Sequence, residues 1–450
     1  MCDPSRIKVF FVPLGCAKNL VDSEHMLYTL RQNGMEIVGD PDGADVAVVN
    51  TCGFIQSAQE EAIEILLKLG QLKAQGRLRA IVAAGCLPQR FQSEFLKELP
   101  EVDAAVGTGS VKAIAEAVRA ALNGGRREWF GANDTAEQGG GRDLLTPSYS
   151  AYLRIAEGCD NRCAYCVIPM IRGPYRSRPM EALIEEARGL AEHGCKELLI
   201  VAQDISRYGV DLYGERCLHK LLQALCKIEG IEWIRLHYLY PDELDDCLLD
   251  TIEQNAKILH YFDIPLQHIN DRILRDMNRR GSGELVRERI RTIRERMPDA
   301  VIRTSLIVGF PGETEEEFQE LCDFLRQARL ERAGVFAFSP EEGAPAAAMP
   351  GQVDETVKER RRAAIFALQQ EIMDRHSASL VGQELTVLCC GLDESGRQYG
   401  RSYMDSPDVD GVVFFDEPTA EGQFVRVRIL DAAGCELFGE KVGEQHDDRQ

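Results

Sequence analysis

The 450-residue sequence has no apolar run of membrane-spanning length, no surplus of basic charge and no apolar leader behind Met1. A bilayer core takes about 20 consecutive apolar residues, and Met1-Cys2-Asp3-Pro4 does not open a signal peptide. The expectation is a cytosolic (cytoplasmic) protein with no membrane partner. Lysine and arginine number 52 against 73 aspartate and glutamate, a formal charge of −21. A general nucleic-acid binder carries a basic footprint instead. An acidic chain attracts a basic protein over long range. Disulfides are rare in a reducing compartment, so the 15 cysteines divide between metal ligands and small core fillers. The length leaves room for two to four domains and a large core.

Three of the cysteines stand close together. In Glu157-Gly158-Cys159-Asp160-Asn161-Arg162-Cys163-Ala164-Tyr165-Cys166 they are spaced by four and three, just past a short strand over 152–156. Three neighbouring thiolates repel one another, and a soft cation neutralises them. They can hold three irons of a [4Fe-4S] cube and leave the fourth iron free to bind a reactant. A structural zinc site usually takes four ligands in paired spacings, and the nearest cysteine downstream is Cys195.

A second trio is spread along the first 120 residues. Apolar runs at 7–12, 46–49, 80–84 and 104–106 alternate with helical patterns near 21–32, 57–74 and 111–122, which predicts an α/β domain with an open parallel sheet. Cys16, Cys52 and Cys86 each fall just past a predicted strand, beside Gly15, Gly53 and Gly85. The carboxyl ends of such strands share one rim, where ligands bind. The pattern therefore predicts an auxiliary tri-cysteine cluster in an N-terminal domain, 1–124.

Residues 125–149 are rich in glycine and charge and read as a linker, pinned by Trp129-Phe130. From 150 to 338 strands (152–156, 197–202, 232–238, 260–264, 300–308, 333–338) alternate with helices, which predicts a partial (β/α)6 barrel. Thr314 and Glu317 form a capping box for one of these helices. Barrel chemistry sits at the carboxyl ends of the strands. That makes Gln203-Asp204, His237, Tyr238, Pro265 to His268, Arg303 to Ser305 and Gly309 to Glu313 candidate contacts. A Pro/Ala loop and a long helix fill 339–381. Short strands at 384–390, 411–415, 424–430 and 435–438 predict a small antiparallel β-barrel over 382–443, with a tail at 444–450. Residues 381–450 hold six basic and fifteen acidic residues, which suits a basic protein partner better than RNA.

The Cys159–Cys166 spacing resembles the radical S-adenosylmethionine (SAM) signature, C-x-x-x-C-x-aromatic-C. With two cysteine trios, such a barrel and a terminal barrel resembling the TRAM domain, nearly the whole chain is similar to the radical SAM methylthiotransferase family. Gly15-Cys16-Ala17-Lys18-Asn19-Leu20-Val21-Asp22-Ser23-Glu24 resembles the RimO-type branch, where the MiaB-like tRNA branch has Gln-Met-Asn after the cysteine. Val201-Ala202-Gln203-Asp204-Ile205-Ser206-Arg207-Tyr208-Gly209-Val210-Asp211, Leu236-His237-Tyr238-Leu239-Tyr240-Pro241 and Asp263-Ile264-Pro265-Leu266-Gln267-His268 are similar to that branch too.

The resemblance implies two [4Fe-4S] clusters, one on Cys159, Cys163 and Cys166 and one on Cys16, Cys52 and Cys86. It implies SAM as methyl donor and as source of a 5'-deoxyadenosyl radical, with Tyr165, Gln203, Arg303, Ser305, Gly309 and Gly312 as candidate SAM contacts. The implied reaction is methylthiolation of the β-carbon of an aspartate in small-subunit ribosomal protein S-twelve, with a reducing electron donor and a sulfur source as further partners. A tRNA adenosine methylthiotransferase would instead show salt-sensitive tRNA binding. A non-catalytic iron–sulfur protein would form no 5'-deoxyadenosine.

Overall fold

A computed structural model describes residues 7–133 and 140–443. Part of the expected linker (134–139) and the expected tail (444–450) lie outside these.

Six strands form the first sheet: β1 (Lys8–Pro13), β2 (Glu36–Val38), β3 (Val46–Thr51), β4 (Ala80–Gly85), β5 (Ala104–Gly107) and β6 (Arg127–Trp129). All pairings are parallel, in the order β2-β1-β3-β4-β5-β6. Strands β3, β4 and β5 are buried on both faces, so their apolar runs are continuous rather than alternating. The order reverses between β1 and β3, the switch point where open α/β sheets bind ligands. The stretch expected to begin a linker at 125 instead begins with the edge strand β6, paired to β5 through Ala104–Arg127 and Val106–Trp129. Only three residues long, it carries no periodic signal of its own.

The second unit starts with β7 (Ser150–Arg154) and a two-stranded ribbon of β8 (Ala156–Glu157) and β9 (Arg176–Ser177). Strands β10 (Glu197–Val201), β11 (Trp233–Leu236), β12 (Ile258–Asp263), β13 (Val301–Val308) and β14 (Arg332–Ala337) complete a parallel six-stranded sheet, ordered β14-β13-β12-β11-β10-β7. This is the expected partial barrel. Alternate residues such as Leu198, Ile200, Ile234, Leu236 and Ile302 join the main core beneath the helices. The intervening residues face the lumen. Helix Glu315–Ala328 begins at the predicted capping box of Thr314 and Glu317.

Helix Glu355–Ser379 leads to the terminal barrel: β15 (Glu384–Leu392), β16 (Gln398–Ser402), β17 (Val413–Phe415), β18 (Phe424–Ala433) and β19 (Glu436–Lys441). The barrel is closed. Four pairings are antiparallel, and β17 with β19, which are parallel, complete the ring. Strand β16 had no sequence counterpart, because Gln398-Tyr399-Gly400-Arg401-Ser402 lacks apolar alternation.

This barrel fills the floor of the larger one. Trp233, Leu259, Tyr261 and Val301 from the lumen share a core with Val387, Met404, Val413 and Phe415. Buried Glu197 pairs with Arg235 (2.9 Å) and with Arg401 of the terminal barrel. Arg235 also donates to the carbonyls of Ser402 and Tyr403. Asp410 accepts from Tyr261 Oη (2.6 Å), and Asp405 pairs with Arg332 (3.1 Å).

Candidate active site: two cysteine loops against one another

Cys16, Cys52 and Cys86 follow β1, β3 and β4, on the rim the sequence predicted. Close backbone approach brings their turns together. Gly15 has φ +94°, and a Cβ there would lie 3.0 Å from Cys52 Cβ. A Cβ on Gly53 would lie 2.9 Å from the Cys86 carbonyl. Polar side chains knit the strand ends. Asn19 Nδ2 donates to the Leu14 carbonyl (2.8 Å) and the Thr51 carbonyl (2.9 Å). Asn50 Nδ2 donates to the Asn19 carbonyl and to Ser23 Oγ, both at 2.8 Å. Cys16 is exposed, Cys52 half-buried and Cys86 buried.

Their electrostatics differ accordingly. Although Cys16 keeps solvent contact, the protein crowded around its sulfur still opposes ionisation, and the charges of Lys18 and Arg172 outweigh that and hold the thiol below its usual range. Burial dominates at Cys52, which is raised, and at Cys86, which is pushed up to about 12. A thiol of this kind becomes a thiolate when a cation is placed against it.

Cys159, Cys163 and Cys166 sit in the loop after β8, past the carboxyl end of β7. The loop is held from several sides. Cys159 N–H donates to the Gly173 carbonyl (3.1 Å) and Ala164 N–H to the Met277 carbonyl (2.9 Å). Asn161 Nδ2 donates to Asp204 (3.0 Å), and Asn278 Nδ2 to the Arg162 carbonyl (2.9 Å). Arg162 takes the left-handed conformation (φ +51°) that turns the chain between Cys159 and Cys163. Burial pushes Cys159 up to about 11 and Cys166 up to about 12.

Among the described residues no three His, Cys, Asp or Glu side chains are placed to hold a single metal ion. A cube spreads its three cysteine ligands around three different irons; Cys16, Cys52 and Cys86 come from three strand ends, and Cys159, Cys163 and Cys166 from one loop. Three thiols in each set is the number that a cube with one open iron takes.

The two loops meet. Cys86 packs in one buried cluster with Val167, Ile171, Phe54 and Ala344, and Val167 is the residue after Cys166. Arg172 Nη2 reaches Asn19 Oδ1 (2.8 Å), Asp22 Oδ2 (2.9 Å) and Cys86 Sγ (3.5 Å), while Nη1 donates to Glu157 (2.9 Å). Lys18 Nζ lies 3.9 Å above the Tyr238 ring at the end of β11. The rim of the first sheet therefore lies over the carboxyl ends of the barrel strands. Glu341 fastens the far edge. It accepts from Arg90 (3.1 Å), Gln56 N–H (3.0 Å), Gln59 (3.2 Å) and Ser339 (2.9 Å).

The predicted SAM contacts divide into two groups. Gln203 stands at the cysteine loop: Nε2 donates to Glu157 (3.3 Å), and Oε1 is buried without a hydrogen-bond partner. That orphaned acceptor suits a ligand donor such as an amino group. Tyr165 packs against Phe310, Phe338 and Met277. Ser305 faces the lumen on β13, half-buried. The other three are taken up by the protein. Arg303 is paired with Asp263 (3.1 Å) and lies 3.6 Å from Asp410. Gly309 is packed against Lys358, and Gly312 N–H donates to the Gly351 carbonyl (2.7 Å).

Sequence reasoning passed over Arg172, Arg279, Asn19 and Glu341. Arg279 Nη1 lies 3.8 Å from Cys163 Sγ, its guanidinium 4.2 Å over the Tyr240 ring. The available signal was weak: Asn19 and Arg172 stand within six residues of a cluster cysteine.

The Radical SAM superfamily pattern matches residues 153–325, the Uncharacterized protein family UPF0004 matches 8–107 and the TRAM domain matches 381–442. "Ribosomal protein uS12 methylthiotransferase RimO" of Pelotomaculum thermopropionicum is 49% identical over 441 residues, 97% of this chain and 99% of that protein. The protein of the same name from Lachnoclostridium phytofermentans is 47% identical over 437 residues, 96% and 99% of the two chains. In fold, the chain is similar to the radical SAM methyltransferase TsrM from Kitasatospora setae, with TM-score 0.55, 15% identity and coverage of 73% and 72%. It is also similar to the cobalamin-dependent radical enzyme OxsB, with TM-score 0.52, 12% identity and coverage of 80% and 56%. Sequence likeness over nearly the full length, with three matching patterns in the same order, places this chain in the RimO family of radical SAM methylthiotransferases.

Proposed function

We propose that the chain methylthiolates the β-carbon of an aspartate in ribosomal protein uS12, using SAM and two [4Fe-4S] clusters. Cys159, Cys163 and Cys166 hold the cluster that binds SAM, and Cys16, Cys52 and Cys86 hold the auxiliary one. The support for the substrate is the name shared by relatives that match along their whole length. The observation that carries the two-cluster reading is the shared packing of Cys86 with Val167, beside Cys166.

When bound, the clusters and SAM supply the electron, the radical, the methyl group and a place for the sulfur. The chain's own residues do the rest. Cys86, Val167 and Ile171 pack together between the two loops, excluding water from the space between them. Arg172 and Asp22 hold the loops in one orientation across the interface. Gln203 Oε1 presents an unused acceptor beside the SAM loop. An unactivated carbon has no proton that an ordinary base can remove, so the substrate carbon must reach both loops at contact distance.

Anaerobic reconstitution tests this. The full-length protein should bind about eight irons. Cys163→Ala should lose SAM cleavage and keep about four. Cys52→Ala should also keep about four, still form 5'-deoxyadenosine and add no methylthio group to a uS12 peptide. Methylthiolation by Cys52→Ala would sink the division of labour. Mass spectrometry of uS12 and tRNA from cells with and without the protein decides between the two macromolecular substrates.

A further inference from the structure

Arg172 ends the helix Ile168–Arg172 that follows the SAM-cluster loop, and is 2% exposed. Three of its contacts lie on the other unit: Asn19, Asp22 and Cys86 Sγ. Two carboxylates, Asp22 and Glu157, pair with it at 2.9 Å. A buried ion pair of this kind is weak evidence for stability, since desolvation offsets most of its attraction. Its placement against a cluster cysteine calls for a different account.

The same relation recurs at the other trio. Arg279 is 8% exposed, its Nη1 is 3.8 Å from Cys163 Sγ, and its Nη2 donates to the Pro265 carbonyl. Each cysteine trio thus has one buried arginine directed at one of its sulfurs. The two come from different segments, so the recurrence is not a by-product of one local turn.

Resting on the two-cluster reading above, we infer that Arg172 is a positioning residue that sets the reduction potential of the auxiliary cluster from across the interface, as Arg279 does for the SAM cluster. A thiolate on iron gains negative charge when its cluster takes up an electron. An N–H directed at that sulfur, carrying a full positive charge, stabilises the reduced form more than the oxidised one. Hydrogen bonds to sulfur and net charge are among the determinants of such potentials. Because the guanidinium belongs to the barrel while the sulfur belongs to the first sheet, the auxiliary potential is tied to correct docking of the two units.

The test is a redox titration followed by electron paramagnetic resonance, in full-length protein carrying Cys159→Ala, Cys163→Ala and Cys166→Ala so that only the auxiliary cluster is read. Adding Arg172→Gln should move its midpoint to a more negative potential. Arg172→Lys, which keeps the charge but not the planar fork, should move it in the same direction by less. Arg279→Gln in this background should leave it unchanged. If Arg172→Gln fails to retain iron, the lysine variant decides by the sign of its shift. A midpoint that does not move in an iron-replete Arg172 variant overturns the inference, because a merely structural arginine would lower activity without shifting a potential. Absence of iron from the parent triple-alanine protein would instead overturn the two-cluster reading itself.

Discussion

Replacing Glu197 by glutamine removes the negative charge that holds the terminal barrel in the floor of the larger one. The carboxylate is fully buried between Arg235, also fully buried, and Arg401. Burial alone would raise its pKa, but Arg401 and Arg235 overcome that and hold it down to about 2, from 4.5. A depression of this size corresponds to about 3 kcal/mol of stability at neutral pH. Removing one partner of a buried ion pair costs about 3–5 kcal/mol, because the remaining charges stay buried. The sign follows from the direction of the shift. The contribution is complete above pH 4.5 and is lost as pH falls toward 2, with about 1 kcal/mol left at pH 3. Trp233 reports on the event, since its ring meets Phe424 of the terminal barrel edge-on at 4.8 Å. Urea unfolding followed by Trp233 fluorescence, in a Trp129→Phe background, should show the unfolding free energy of Glu197→Gln lowered at pH 7 by about 3 kcal/mol. The gap from the parent should shrink at pH 3. A loss under about 1 kcal/mol at pH 7, or a gap that does not change with pH, would refute the reasoning.

Glu341→Ala should strand buried Arg90 and loosen the first unit on the barrel by about 3 kcal/mol. SAM cleavage should persist while the yield of methylthiolated peptide per 5'-deoxyadenosine falls, and both products are read in one chromatogram. Gly309→Ala should destabilise the helix Glu355–Ser379, because its Cβ would collide with Lys358. Gly312→Ala meets nothing nearer than 3.6 Å and should cost only the left-handed backbone strain, about 1–2 kcal/mol. Thermal melts rank the two, and a weaker SAM affinity in Gly312→Ala without a matching loss of stability would restore that glycine to the ligand site.

Much of this was legible from local pattern. The strand-helix alternation placed every central strand of the first sheet and all six of the barrel, because a buried parallel strand is an apolar run that announces itself. The strand-end positions of Cys16, Cys52, Cys86 and Cys159 were legible for a related reason: each comes within a few residues of the end of such a run, so chain continuity fixes where it lies. Strand β6 and strand β16 were not, since edge and barrel-closing strands hold their place by pairing, not by composition. Arg303 read as a ligand contact from its place on β13, yet Asp263 and Asp410 already answer its charge. Asp410 is 107 residues away, and nothing around Arg303 signals it.

The terminal barrel separates the two levels most clearly. Its composition pointed outward, to a basic partner drawn to an acidic domain. The fold turns part of that charge inward: Arg401, Asp405 and Asp410 are spent on Glu197, Arg332 and Tyr261 in the lumen. The sequence by itself determined the buried strands and the helices between them, where the cysteines fall along the chain and which family the chain resembles, because periodicity and spacing are short-range properties. Only the tertiary structure decided that Cys86 lies against the neighbour of Cys166, that Arg172 crosses from one unit to the other and that a second barrel closes the first. Those are contacts between segments from about 80 to more than 200 residues apart, and they exist only where packing brings the segments together.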